Sequence, residues 1–252
     1  RALEDDDARA ALRFINARPK PLAMYIFSQE QKSIDLLLDN AVELRDMPEL
    51  SPLQNKEHRQ QALAALGDYS LLERSDEKVS IHRVVQDAIY NRLEEPEQRR
   101  WTVSAIQLIN QHLASDVNSN VACWPGYSRL LTHALAAIEH AEQLNLSDDP
   151  LPRVLSQVGQ YLSVHAHFTQ AEPLMRRALA IDEQSYGAEH PRVAIDLNNL
   201  AMLLQDTNRL AEAEPLMRRA LAINEQSYGA EHPDVAICLN NLAHLFQATN
   251  RL

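Results

Sequence analysis

The side chains best suited to binding chemistry are asparagines that recur in pairs. Asn198 and Asn199 stand in the sequence LNNLA, and Asn240 and Asn241 occupy the same places 42 residues later. An asparagine amide has two N–H donors and a carbonyl acceptor, so it can bind a peptide backbone whatever the peptide's sequence. Asparagine is also a poor helix former, and its presence in the middle of a helix indicates a function. The pairs therefore predict binding of an extended peptide.

Helical geometry, at about 100° per residue, places other polar and soft side chains beside these pairs. The full set of candidate peptide-binding residues is Asn198, Asn199, Met202, Gln205, Asn240, Asn241, His244 and Gln247. A plainer interpretation is that repeat duplication copied solvent-facing asparagines. If the asparagines are exposed, Asn199→Ala with Asn241→Ala should abolish binding and leave the melting temperature nearly unchanged.

Other arrangements of reactive residues are weak. Histidines form two close pairs without a cysteine or carboxylate at zinc-binding spacing, namely His133 with His140 and His165 with His167. His190 and His232 each precede a proline at equivalent positions, which favours a structural role. The five glycines form no phosphate-binding GxxxxGK[ST] loop, so no cofactor is predicted for this chain. We expect no metal site and no catalytic centre.

The elements that position these residues form a tandem repeat. The segment 171–195 returns as 213–237 with two differences in 25 positions, and the register continues without a gap to residues 210 and 252. Such a fixed period is typical of a solenoid. An earlier, degenerate copy lies at 155–162, where Gly159 takes a position that requires a small residue.

Each repeat is predicted to be a helical hairpin. Leu197, Leu200, Ala201 and Leu204 follow the i, i+3, i+4, i+7 spacing of one apolar helix face, and a second helix begins near Ala213. Neither helix can bury its apolar face alone, so adjacent hairpins must stack.

This pattern resembles tetratricopeptide repeats, and its 42-residue period with the segments LNNLA, AEPL and HPDVA resembles the repeats of kinesin light chains. The resemblance implies an α-solenoid whose concave side carries the asparagines and binds a protein or peptide.

The sequence upstream has a different character. Residues 69–82 predict a β-hairpin between helices, which is typical of a winged helix. We therefore expect an all-α chain in three parts. These are a winged-helix-like module with a small β-hairpin (1–95), a helical linker with capping helices (96–150) and tetratricopeptide repeats with a truncated last copy (151–252).

A second resemblance lies in this upstream region. Residues 62–93 resemble the winged-helix end of bacterial STAND-type NTPases of the NB-ARC kind, and residues 124–135 resemble their linker helix. His82 stands where that family has a Met-His-Asp motif whose histidine contacts the ADP β-phosphate, although Arg83 replaces the aspartate. The resemblance implies a nucleotide-binding domain upstream in cis and ADP or ATP in the full-length protein. A structural alternative is that His82 donates to a backbone carbonyl.

Charge and composition exclude several classes of function. The net charge is −11 and neither half of the chain is basic, which opposes nucleic-acid binding. No apolar run is long enough to span a membrane. The two cysteines are far apart, so we expect reduced thiols in a cytoplasmic protein. The pattern stops inside a repeat, so we also expect a fragment of a longer chain.

The sequence thus predicts a non-enzymatic, peptide-binding sensor arm of a STAND/NB-ARC-type NTPase acting in signal transduction or defence. Two alternatives are a kinesin-light-chain-like scaffold and a winged-helix DNA-binding regulator, the latter opposed by the acidic charge.

Overall fold

The computed structural model describes residues 57, 72–74, 79–81, 93–113, 117 and 120–249. Contacts divide the chain into two compact units. One combines Arg1–His112 with Thr132–Leu146, and the other combines Leu113–Leu131 with Ser147–Leu252.

The first unit contains a short antiparallel strand pair and helix α1. Strand β1 (Leu72–Arg74) pairs with β2 (Val79–Ile81), with Leu72 opposite Ile81. The pair lies within the predicted hairpin at 69–82. His82 and the flanking helices of the winged-helix prediction lie outside the described residues, so the winged helix stays a prediction.

Helix α1 (Glu95–His112) begins one residue before the predicted helical linker at 96–150. Its side chains Trp101, Ile106 and Ile109 are all buried. Helix α2 (Trp124–Gln143) follows a single 3-10 turn at Val121–Cys123. Within the first unit, the Arg99 guanidinium of α1 donates to the Leu144 carbonyl oxygen at 3.1 Å. This bond connects α1 with the segment Thr132–Leu146 of the same unit.

The second unit is a run of antiparallel helices. They are α3 (Leu151–Val164), α4 (Phe168–Tyr186), α5 (Pro191–Asp206), α6 (Leu210–Tyr228) and α7 (Pro233–Ala248). The pairs α3–α4 and α5–α6 form hairpins, and α7 packs on α6. The prediction of stacked helical hairpins is confirmed, including the degenerate first copy.

Turn residues repeat with the same period as the helices. Ala166 and Asn208, 42 residues apart, both have φ of 60° inside the hairpin turns. Gly187 and Gly229 have φ of 90° and 85° where one hairpin passes to the next. A residue with a Cβ is strained at the φ near 90° and ψ near 155–160° of Gly187 and Gly229, which explains the glycines at these two positions.

The core follows the predicted apolar stripe. On α5, Leu197, Leu200, Ala201 and Leu204 are fully buried. Leu197 packs in one cluster with Ala220 and Ile223 of α6. In the first hairpin, a Cβ added at Gly159 would lie 2.8 Å from Met175 Cγ, so α3 and α4 approach closely here and any side chain at this position requires Met175 to shift. The requirement for a small residue at this position is confirmed.

The start of α2 packs on the first hairpin within the second unit. The rings of Tyr127 and Tyr161 stack with centroids 5.1 Å apart, and Trp124 meets His165 edge-on at 4.6 Å. Burial raises the pKa of the Tyr127 phenol above its ordinary value. This segment therefore covers the outer side of α3.

Candidate functional site

The asparagine pairs lie on the first helices of the repeats, α5 and α7. Asn241 Nδ2 donates to Asn198 Oδ1 at 2.9 Å, and Asn199 Nδ2 donates to Ser156 Oγ at 3.5 Å. Ser156 precedes Asn198 by 42 residues, so these are equivalent bonds at successive repeats. Each one joins the first helix of a hairpin to the first helix before it. We call the surface formed by α3, α5 and α7 the first-helix face.

These bonds correct one expectation from the sequence. Asn198, Asn199 and Asn241 are half-buried, whereas Asn240 is exposed. The assumption that the asparagines are simply exposed is therefore wrong, because part of their hydrogen-bonding capacity joins neighbouring repeats. Each amide group still has a second N–H, so the ladder can bind a ligand in addition to stabilising the stack.

The other candidate residues lie on the same two helices. Met202 and Gln205 are half-buried, and the Met202 sulfur accepts from Asn198 Nδ2 at 3.8 Å. His244 and Gln247 are exposed on α7. Ile195 and Ile237, at equivalent positions on the first helices, are 57% and 53% exposed. Peptide binding by this set stays a prediction.

A cleft next to the asparagine ladder was not predicted. It has a volume of about 250 Å³ and lies between α3 and α5, with α4 behind them. Its lining residues are Pro152, Arg153, Ser156, Gln157, Gln160, Asp182, Arg192, Ile195 and Asp196. Ser156 belongs both to this cleft and to the ladder, so the two features adjoin on the first-helix face.

Two aspartates from different helices are buried in this cleft. Asp182 of α4 is 6% exposed and Asp196 of α5 is 5% exposed. Burial raises the pKa of Asp196 to about 7, and the neighbouring Asp182 carboxyl adds to this effect, whereas Ser156 and Arg192 oppose it. Burial also raises the pKa of Asp182 above its ordinary value. Near neutral pH, the pair therefore tends to keep a proton.

An ion pair marks the rim of the cleft. Arg192 Nη1 donates to both carboxylate oxygens of Asp149, at 2.9 and 3.0 Å, and lies 2.7 Å from the Tyr186 hydroxyl oxygen. The guanidinium also lies over the Tyr186 ring, 4.8 Å from its centroid. The charge of Arg192 is thus directed toward an exposed partner and only partly offsets the buried carboxyls.

The sequence did contain a signal for this cleft. Residues 171–210 and 213–252 differ at six of 40 positions. Three of the six are Asp182, Arg192 and Asp196, which become Asn224, Asp234 and Cys238 in the next repeat. Positions that differ between near-identical repeats therefore converge on one cleft, although they are spread over 15 residues of sequence.

The histidines take structural positions. His190 Nδ1 accepts from the Arg192 backbone N–H at 3.2 Å, and His232 Nδ1 accepts from that of Asp234 at 3.2 Å, so both cap a helix. Burial lowers the pKa of His133 to about 4. Over the residues that the structure describes, no three His, Cys, Asp or Glu side chains cluster as metal ligands. Likewise, no helix in the described ranges is long and apolar enough to cross a membrane.

Comparison with known proteins supports the repeat assignment. The tetratricopeptide repeat family matches residues 152–226 and 197–252. No curated protein matches the chain significantly. Among solved structures, BtubC (BKLC) from P. vanneervenii has 16% identity and a TM-score of 0.53, covering 86% of this chain and 83% of its own.

A putative kinesin light chain of Podosopora anserina with nearly identical TPR-like repeats shares 17% identity at a TM-score of 0.40, with 62% of this chain and 81% of that one covered. A second crystal structure of that protein shares 16% identity at a TM-score of 0.40, with 62% and 80% covered. None of these matches points to an NB-ARC or STAND context or to a winged helix. The fold and the family match together identify residues 152–252 as tetratricopeptide repeats.

Proposed function

We propose that the chain is a non-enzymatic scaffold whose tetratricopeptide repeats bind a protein partner through the first-helix face. The observation that carries this proposal is the recurrence of exposed isoleucines at 195 and 237 beside an asparagine ladder with N–H groups to spare. Large apolar side chains exposed at a fixed spacing, next to amides, suit an extended peptide. The peptide's main chain would bind the amides and its apolar side chains would contact the isoleucines.

The test is selection of peptides from a random library on the whole chain. Ile195→Glu with Ile237→Glu places two charges on the first-helix face and should abolish capture of the selected peptides. Gln184→Glu with Gln226→Glu adds the same charge at exposed positions of the second helices and should leave capture intact. Circular dichroism checks that both variants stay folded. Equal capture by both pairs of variants would refute the assignment of the face.

A more specific form of this proposal is a sensor arm of a cytoplasmic STAND/NB-ARC-type NTPase. It rests on the resemblance of residues 62–93 and on His82, and the antiparallel pairing of β1 with β2 is consistent with it. ADP or ATP would then bind an upstream domain in cis, in a protein of signal transduction or defence. In such a full-length protein, His82→Ala should weaken ADP retention. Unchanged ADP affinity would leave the scaffold role alone.

A further inference from the structure

The cleft between α3 and α5 contains buried acids with unused hydrogen-bonding capacity. Asp182 Oδ1 and Asp196 Oδ2 are buried, and neither atom has a hydrogen-bond partner within the described part of the chain. Both side chains line the open cleft, and both are more than nine-tenths buried. A buried carboxylate oxygen without a donor costs free energy, and two in one cleft also repel each other. A proton held between the two carboxyls relieves part of this repulsion but leaves those two oxygens without a donor, and a cation with several N–H donors could replace the proton and bind both oxygens.

The next repeat shows that the fold does not need these acids. Asn224 and Cys238 occupy the equivalent positions, where Asn224 Nδ2 lies 3.4 Å from Cys238 Sγ. The surrounding core, including Val193, Leu197 and Ile223, packs around Cys238 without any charge. A neutral pair therefore serves helix stacking, and the acids at the first position call for a different explanation.

The walls of the cleft suit a basic side chain on an aliphatic stem. Ile195, at 57% exposure, gives an apolar wall next to the carboxyls. Gln157 and Ser156 add polar groups at the same depth. The Arg192 guanidinium at the rim is held by Asp149, which lessens its repulsion of an incoming cation. A lysine or arginine stem could thus lie on Ile195 while its nitrogen atoms reach the carboxyl oxygens.

We propose that this cleft binds a lysine or arginine side chain of the partner peptide. The inference rests on the proposed peptide binding by the first-helix face and adds a specificity to it. Because Ser156 joins the cleft to the asparagine ladder, a peptide whose main chain binds the ladder can place one basic side chain in the cleft. Two carboxyls that accept from one cation explain both the unused oxygens and the presence of acids at this junction, where the next junction has Asn224 and Cys238.

A direct test uses Nα-acetyl-lysine methylamide and its arginine and norleucine counterparts as probes of the whole chain. Ile195 methyl resonances report on the cleft by NMR. Lysine and arginine probes should shift them saturably, whereas norleucine, which lacks the charge, should not. Asp182→Asn with Asp196→Cys, the pair found in the next repeat, should weaken lysine binding by roughly tenfold or more. Asp206→Ala is the matched control. It also replaces an acid of α5 by the residue found in the next repeat, but Asp206 does not line the cleft, so binding should stay unchanged.

The outcomes separate this inference from the proposed function. Equal shifts by lysine and norleucine, or full binding by the double variant, would overturn the inference. In the peptide-library selection, enrichment of lysine or arginine that is lost in the double variant supports it. Selected peptides without a basic preference would overturn the cleft assignment alone. Lysine-probe binding without any selected peptide would mean that the cleft takes free amines, which overturns the partner's side chain as occupant and also the peptide-binding proposal.

Discussion

The two junctions between successive repeats have nearly the same sequence but differ in charge. At the first junction, where α5 packs on the α3–α4 hairpin, Asp182 and Asp196 are buried together. At the second, where α7 packs on the α5–α6 hairpin, Asn224 and Cys238 take these positions and lie in contact. The helices, turns and caps are otherwise equivalent. The difference shows that the stacking geometry is set by the apolar stripe and the turns, whereas the polar residues behind the first helices are free to vary.

The largest expected effect comes from making the first junction neutral. Asp182→Asn with Asp196→Cys removes two carboxyls with raised pKa values, and burial raises the pKa of Asp196 from 3.8 to about 7. A raised pKa means that the folded state binds more protons than the unfolded state between these values, so stability falls as pH rises from about 4 to about 7. The variant should therefore gain up to about 4 kcal/mol at pH 8 and much less at pH 4.

Urea unfolding at the two pH values measures this difference. Arg192, Asp149 and His190 also act on the pair and stay unchanged in the variant. As the reciprocal control, Asn224→Asp with Cys238→Asp should destabilise the second junction at pH 8, where Asp234 adds a further negative charge. A gain that is the same at both pH values would show that packing, not charge, separates the junctions.

The next effect concerns the small residue inside each hairpin. Gly159 in the first and Ala201 in the second hold this position, and a Cβ at Gly159 would lie 2.8 Å from Met175 Cγ and 3.4 Å from the Ala171 carbonyl oxygen. Gly159→Leu should cost about 2–3 kcal/mol by overpacking. Gly159→Ala copies the second hairpin and should change stability by less than about 1 kcal/mol, because Met175 can adjust its side chain. A tolerated leucine, measured by thermal unfolding, would mean that the helices can move apart.

A smaller effect is expected for the asparagine ladder. Asn199→Ala removes the 3.5 Å bond to Ser156, and Asn241→Ala removes the 2.9 Å bond to Asn198. The shorter bond should be worth more, so we expect a loss of about 1 kcal/mol for Asn241→Ala and less for Asn199→Ala. Asn240→Ala, at an exposed position on the same helix, is the control and should be neutral. Chemical unfolding of the three variants would contradict this ranking if Asn240→Ala cost the most.

Comparison of sequence and structure shows which structural features the spacing of residues in the sequence can predict. The hairpins and their apolar stripe could be predicted for two reasons. The same contacts recur in every 42-residue repeat, and the spacing of apolar residues along one helix shows which face is buried. The hydrogen bond between Asn198 and Asn241 could not be predicted, because it depends on how two helices, whose bonded residues are 43 apart in the sequence, lie side by side. The cleft was missed for the same reason, because Asp182 and Asp196 come from different helices. The positions at which the two repeats differ would have identified the cleft, because residues that change between repeats are not required for the helices to stack.

The smallest expected effect should be equal at the two junctions, because there the structure is the same. His190 caps α5 and His232 caps α7 with 3.2 Å bonds, and each ring stacks on a tyrosine, with centroids 4.8 and 4.4 Å apart. Removal of a helix cap costs about 0.5–1 kcal/mol, so His190→Ala and His232→Ala should lower stability by similar amounts. Asparagine at either position can still accept the bond and should restore most of the loss. Thermal unfolding of the four variants measures this, and a clearly larger loss at one junction would mean that nearby charges, Asp149 and Arg192 at the first and Asp234 at the second, also determine the strength of the caps.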